Sequence, residues 1–189
     1  MKPSEPFNDN PLIISMKKFP FRFIPLYVVI LFFISACGNE KAENQNASAV
    51  IEQAPDFEVT TVSGETISLE ESLNNDKPVV IYFTASWCPV CAQNWPSLSE
   101  VYPEYEDRLT LVAIGIDPTD DEQTMRSLAE EKGFTFPVTR GIPQIMLDYG
   151  VKSQATTVGV NKDGNIAFRK NKMVISADEY RELFDGLVQ

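Results

Sequence analysis

Two largely apolar runs, Val79–Thr84 (VVIYFT) and residues 109–116 (LTLVAIGI), dominate the hydropathy pattern of the chain after residue 53. The first is rich in β-branched and aromatic residues and the second in aliphatic ones, which is typical of strands buried on both faces of a parallel sheet. The segment between them predicts a helix from Pro89 to about Tyr105. Because crossover connections are right-handed, the two strands are expected to lie side by side and parallel.

The flanking segments alternate between short strand and helix patterns, with turn or cap residues at their boundaries. Strands are predicted at 56–62, 66–69, 156–160 and 166–170, and helices at 120–132, 142–149 and 177–187. Asp163-Gly164 marks a hairpin, Gly133 is expected to end a helix, and Ser176 is expected to cap the last one. This order predicts an α/β fold with a central mixed β-sheet flanked by helices and an N-terminal strand extension, in one domain over residues 54–189.

The first 36 residues have the pattern of an export signal rather than of a folded segment. Lys17, Lys18 and Arg22 precede an apolar run over residues 24–34, which is shorter than the roughly 20 residues of a membrane-spanning helix. Ile34-Ser35-Ala36-Cys37 resembles the bacterial lipobox, and the resemblance implies cleavage before Cys37 and attachment of lipid to its thiol. An ordinary signal peptide or a membrane anchor with an incidental cysteine are the alternatives.

Two further boundaries follow from this pattern. Met16 starts a complete signal sequence by itself, so we expect translation to begin there rather than at Met1. Residues 37–53, which are polar and without periodicity, are predicted to be a flexible tether after the lipidated Cys37.

The composition excludes several classes of function. A formal net charge of -11 argues against nucleic acid as a partner, since phosphate binding needs clustered Lys and Arg. The chain has no histidine, which removes imidazole-based catalysis and most zinc or haem sites. It has three cysteines, so Cys88 and Cys91 lack the further ligands that a zinc site requires. Neither a metal nor another cofactor is expected.

The pentapeptide Trp87-Cys88-Pro89-Val90-Cys91 follows the first buried strand, and it is the candidate active site. Pro89 suits the first position of a helix, which makes Cys88 the predicted N-cap residue. The free backbone N–H groups and the helix dipole there favour thiolate, the nucleophile of disulfide exchange. Cys91, one turn later, is placed to resolve a mixed disulfide on Cys88. A disulfide with a purely structural role is the alternative, although so small a loop adds little stability.

These residues resemble the active site of the thioredoxin-like fold, and the chain from Ala54 onward is similar to the TlpA/ResA-like family of membrane-tethered disulfide reductases. The similarity rests also on residues 115–117, 133–138, 149–151 and 162–166. It implies a monomeric extracytoplasmic enzyme on the bacterial cell membrane, with a membrane electron donor. Client proteins with disulfides, such as apocytochromes or oxidised surface proteins, would be the substrates. The substrate-facing residues would be Trp87, Pro89, Val90, Gln154 and Ala155.

The chain departs from the resembled pattern in three places. Ala155 stands where that family usually has a cis-proline, so we expect a trans bond there because a cis bond before a non-proline residue costs about 3–4 kcal/mol. Tyr82 and Asn94 occupy the positions of the acids that assist proton transfer in such proteins. The dipeptide Pro89-Val90 has its proline in the first place, which resembles oxidases more than reductases.

Other functions stay open at this point. The cysteine pair also suits a disulfide oxidase or isomerase, and a non-catalytic binding lipoprotein would explain the departures. The strand-rich start of the domain resembles peroxiredoxins as well. Their Pro and Thr or Ser positions before the reactive cysteine are held here by Ile81 and Ala85, which disfavours a thiol peroxidase.

Overall fold

A five-stranded mixed sheet forms the centre of the computed structural model, which describes residues 52–189. The signal segment, Cys37 and most of the predicted tether lie outside the described residues. The elements in chain order are β1 (Glu58–Thr60), β2 (Thr66–Ser68), α1 (Leu69–Asn74), β3 (Val79–Thr84), α2 (Pro89–Val101), β4 (Thr110–Gly115), α3 (Glu122–Lys132), β5 (Val138–Gly141), α4 (Pro143–Asp148), β6 (Thr156–Val160), β7 (Ile166–Lys170) and α5 (Ala177–Val188).

The strand order is β5-β4-β3-β6-β7, in which β3, β4 and β5 run parallel, while β6 and β7 are antiparallel to their neighbours. The register from Val79↔Thr110 to Thr84↔Gly115 confirms that the two apolar runs pair in parallel. All six residues of β3 are buried, as a continuous apolar run in a central strand requires. The predicted α/β fold with a central mixed sheet is therefore confirmed.

Alternate side chains of β3 enter two separate cores, as the two-residue repeat of a strand dictates. Val80 and Tyr82 belong to the core under α2 and α5, which also contains both cysteines. Ile81 and Phe83 belong to the core on the other side of the sheet, where Tyr149 packs. The cysteines thus lie in one layer of the domain, between the sheet and α2.

Three elements differ from the sequence-based expectation. Helix α1 was not predicted, although Ser68 accepts a hydrogen bond from the N–H of Glu71, which is a capping pattern that the sequence contains. Strand β5 was not predicted either, because it is short and includes the exposed Arg140. Helix α2 ends at Val101 and passes into a 3-10 turn, since Pro103 lacks the N–H that an α-helix needs.

The sheet places five connections at one end of the domain: those that follow β3, β4, β5 and β7, and the one that precedes β6. The β6–β7 hairpin lies at the opposite end, where residues 52–54 pair with it. Between residues 52 and 189 no helix has both the length and the hydropathy to cross a bilayer.

Candidate active site

A disulfide joins Cys88 and Cys91 at the carboxyl end of β3, where open α/β sheets place their sites. Cys88 is the N-cap residue of α2 in an extended conformation, and Pro89 occupies the first turn, as predicted. The Sγ atom of Cys88 accepts a hydrogen bond from the backbone N–H of Cys91, 3.0 Å away. The two Cα atoms are 5.2 Å apart, within the usual range for a disulfide.

The disulfide itself is shielded, while its neighbours are not. Cys88 is 2% exposed and Cys91 is fully buried, whereas the side chain before them, Trp87, is 56% exposed. Pro89 is exposed and Val90 is half-buried. Of the residues that were predicted to face the substrate, Trp87 and Pro89 are thus open to solvent beside the disulfide, and Val90 is partly so.

Two aspartates tie the loop that precedes Cys88 to the loop that follows β4. The indole N–H of Trp87 donates to Asp117 over 2.7 Å, and Asp120 accepts from both the backbone N–H and the hydroxyl of Ser86. Hydrogen bonds from Thr119 and, to a smaller extent, from Trp87 lower the pKa of Asp117. The indole of Trp87 is thus held by an ionised carboxylate although its ring lies in solvent.

A neutral pair takes the place of the acids that the resembled family carries behind the cysteines. Tyr82 and Asn94 are both fully buried, and the amide of Asn94 donates to the Tyr82 hydroxyl over 3.2 Å. Burial raises the pKa of Tyr82 far above its ordinary value. Neither side chain changes its charge near neutral pH, which agrees with the expectation that these two positions supply no acid.

Ala155 lies at the start of β6 with an unusual backbone. Its φ is 56°, in the left-handed region that L-residues rarely adopt, and the bond before it is trans, as predicted. Its N–H donates to the carbonyl of Phe83 over 2.8 Å, which fixes the loop against β3. Ala155, which was predicted to face the substrate, is fully buried in the core that contains both cysteines, so neither its methyl group nor its backbone lies at the surface. Gln154 beside it is half-buried.

The structure adds residues that the sequence reading did not single out. Asp117 and Asp120 follow β4, the strand beside β3. Because sites form at the carboxyl ends of neighbouring strands, this position in the sequence could have identified both aspartates. Met173 and Val174, 43% and 50% exposed, lie in the loop after β7 and carried no local signal. Cys37, the predicted lipid attachment site, lies outside the described residues.

Comparison with known proteins gives a consistent picture. The model of the AhpC/TSA family matches residues 50–169. The chain is 35% identical over 116 residues to the thioredoxin-like protein YneN of Bacillus subtilis, which covers 61% of this chain and 67% of the relative. It is 31% identical over 139 residues to the thiol-disulfide oxidoreductase ResA of Bacillus thuringiensis, covering 72% of this chain and 75% of the relative.

A solved structure supports the fold independently. A thioredoxin-family thiol:disulfide interchange protein from Chlorobium tepidum superimposes with a TM-score of 0.66 at 20% identity, covering 75% of this chain and 99% of that one. By the match of its family model, its relatives and its Cys88–Cys91 disulfide, the chain belongs to the AhpC/TSA family of thioredoxin-like proteins, and within it to the thiol–disulfide oxidoreductases.

Proposed function

We propose that this protein reduces disulfides of client proteins outside the cytoplasm, with Cys88 as nucleophile and Cys91 as resolving cysteine. The observation that carries the proposal is the position of Cys88 as N-cap residue of α2. Its sulfur already accepts a backbone N–H bond there, and the first turn of the helix favours a negative charge. A purely structural disulfide would need neither feature.

The reaction balances as two successive thiol–disulfide exchanges. The Cys88 thiolate attacks one sulfur of the client disulfide, which forms a mixed disulfide and releases the other client sulfur as a thiolate. The thiol of Cys91 then loses its proton to solvent and attacks Cys88. The second client sulfur leaves, and the Cys88–Cys91 disulfide forms. Two electrons pass to the client, and a membrane dithiol donor would return the pair to its reduced state.

The location and direction of the reaction rest on the sequence and on the relatives. The lipobox-like Ile34-Ser35-Ala36-Cys37 supports a lipid anchor on the outer face of the bacterial cell membrane. Relatives named thiol-disulfide oxidoreductase ResA support thiol–disulfide exchange. The resemblance to tethered reductases implies the reducing direction and clients such as apocytochromes or oxidised surface proteins. Trp87, Pro89, Val90 and Gln154 would surround the client, while Ala155 lies buried behind them.

Insulin reduction by dithiothreitol tests the chemistry. The wild-type domain should accelerate insulin precipitation, and both Cys88→Ser and Cys91→Ser should abolish the acceleration. In the native host, Cys91→Ser should retain clients as mixed disulfides on Cys88, and mass spectrometry of these would identify the clients. An insulin rate equal to that of dithiothreitol alone would overturn the proposal in favour of a binding protein.

Two further measurements test direction, location and the rival chemistry. Loss of a lipid-labelled band on Cys37→Ser would support the anchor, and an unlabelled wild-type chain would contradict it. Client proteins that accumulate in the oxidised form when the gene is deleted would support reduction, whereas accumulation of reduced clients would indicate an oxidase. Consumption of hydrogen peroxide that survives Cys91→Ser would replace the proposal with a thiol peroxidase.

A further inference from the structure

Asn94 joins the active-site helix to the loop that follows β7. It lies on α2 three residues after Cys91, and its side chain is fully buried. Its amide nitrogen donates to the carbonyl of Met173 over 2.8 Å, and its amide oxygen accepts from the N–H of Ile175 over 2.7 Å. The amide nitrogen also donates to the Tyr82 hydroxyl. The amide group therefore uses three of its four hydrogen-bonding positions inside the protein.

The two backbone groups that Asn94 binds flank Val174. Ile175 on one side is fully buried in the core of both cysteines, while Val174 and Met173 have their side chains in solvent. Lys172, just before them, has a left-handed φ of 49°, which is a costly backbone for a non-glycine residue. Asn94 thus fixes a loop that turns sharply and presents two apolar side chains outward.

This loop lies at the same end of the domain as the cysteines. Strand β7 ends on the side of the sheet where β3 ends, so residues 171–176 and Cys88 share one end of the domain. Asn94 is six residues from Cys88 on the same helix, a rise of about 9 Å. Trp87, Met173 and Val174 are therefore exposed apolar side chains at the end of the domain that carries the disulfide, and we call these three residues the docking rim.

We propose that Asn94 is a positioning residue, which holds Met173 and Val174 in the docking rim for the client segment next to the reacting disulfide. The proposal rests on the function proposed above. A mixed disulfide brings the Cα atom of a client cysteine to within about 4.4–6.8 Å of the Cα atom of Cys88. Because Cys88 is only 2% exposed, the client residues beside that cysteine must lie against the exposed surface around it. That surface is apolar at Trp87, Met173 and Val174, so it selects clients whose cysteines lie in apolar segments.

Single-turnover oxidation of the pre-reduced protein tests the inference, with insulin as protein client and glutathione disulfide as small substrate. For Val174→Ser we expect the ratio of the insulin rate constant to the glutathione rate constant to fall about five-fold, since the variant buries less apolar area. The half-saturating insulin concentration should rise while the maximal rate is kept. Leu147→Ser is the matched control, because Leu147 is 61% exposed on α4, whose residues pack in the other core.

Asn94→Ala should shift the half-saturating insulin concentration in the same direction. If Asn94 acts through the loop, Asn94→Ala/Val174→Ser should be no worse than Asn94→Ala alone, whereas additive losses would show a separate effect and overturn the positioning role. An unchanged ratio in Val174→Ser would overturn the docking rim, and this holds even if Asn94→Ala does not fold. A wild-type protein that neither substrate oxidises would instead contradict the proposed function.

Discussion

At the scale of single residues, the contact between Trp87 and Asp117 makes the surroundings of the disulfide sensitive to acid. The pKa of Asp117 is lowered below the ordinary 3.8 by hydrogen bonds from Thr119 and Trp87. The stability that the ionised Asp117 contributes to the folded state is therefore complete above this ordinary pKa. It is lost as the pH falls through the lowered pKa that Asp117 has in the folded protein. Down to pH 5 the indole should stay in place, and it should be released only in more acidic solution.

We therefore predict a change in the fluorescence of Trp87 below pH 4, measured in a Trp95→Phe background so that one indole reports. Asp117→Asn should remove this transition, because an amide oxygen still accepts from the indole N–H but does not titrate. A transition that persists unchanged in Asp117→Asn would assign it to another carboxylate. The substitution should leave the far-ultraviolet circular dichroism unaltered.

A second prediction at this scale concerns the backbone of Ala155. Because its φ is 56° and its methyl is fully buried, Ala155→Val adds a β-branched side chain to a left-handed residue that has no free space. We expect a loss of about 2–4 kcal/mol in the free energy of unfolding, measured by urea denaturation.

The matched control is Ala155→Gly. Glycine removes the strain of the left-handed backbone, which stabilises the folded state. This gain offsets the lost packing of the methyl group and the larger conformational entropy of the unfolded chain. The free energy of unfolding should then change by less than about 1 kcal/mol. An Ala155→Gly variant as unstable as Ala155→Val would show that the buried methyl, rather than the backbone conformation, dominates at this position.

At the scale of elements, the ends of β4 and β5 determine where the loop with Asp117 can run. A Cβ atom on Gly141 would overlap the carbonyl of Asp117, which is backbone and cannot rotate away. The N–H of Gly141 also donates to the carbonyl of Asp120 over 2.7 Å. Glycine at this position therefore lets the loop cross the end of β5 and reach Trp87.

For Gly141→Ala we predict a loss of about 1–3 kcal/mol in the free energy of unfolding, because the loop must shift. The same variant should change the fluorescence of Trp87, since Asp117 moves with the loop. Gly186→Ala is the control: a Cβ there meets no atom within 4 Å, and alanine favours the helix α5. Equal effects of the two substitutions would contradict the crowding at Gly141.

The same scale shows what the sequence could and could not predict. Strands β3 and β4 were predicted because long apolar runs carry their own signal, and Cys88 was placed as N-cap residue by Pro89 alone. Strand β5 was not, because four residues with an exposed arginine have no clear periodicity. The contact of Asn94 with residues 173 and 175 joins positions about 80 residues apart in the chain. Such a contact depends on how β7 and α2 are brought together, and no local pattern predicts it.

At the scale of the whole molecule, the described chain begins at the end of the domain opposite the disulfide. The N–H of Ile166 donates to the carbonyl of Glu52, and the N–H of Ala54 donates to the carbonyl of Gly164. These bonds pair residues 52–54 with the β6–β7 hairpin, which lies beyond the amino end of β3. Cys88 follows the carboxyl end of the same strand, so the length of the domain separates it from Glu52.

This separation has a consequence for a chain that is anchored through Cys37. A domain of this size has a radius of gyration of about 14 Å and hence a diameter of about 35–40 Å. A tether of the predicted kind before Glu52 would add about 20 Å on average if it behaved as a flexible coil. The tether would therefore join the domain at the end away from the disulfide, which leaves the disulfide accessible to soluble clients.

The final prediction follows from that geometry. When the domain is attached to vesicles through its N-terminus, spin-labelled lipids should leave the fluorescence of Trp87 unquenched in a Trp95→Phe background. A tryptophan introduced at Asn165, beside the point where residues 52–54 pair with the hairpin, should be quenched under the same conditions in a Trp87→Phe/Trp95→Phe chain. Comparable quenching at both positions would mean that the tether lets the domain turn over onto the membrane, and the disulfide would then be equally accessible to partners embedded in it.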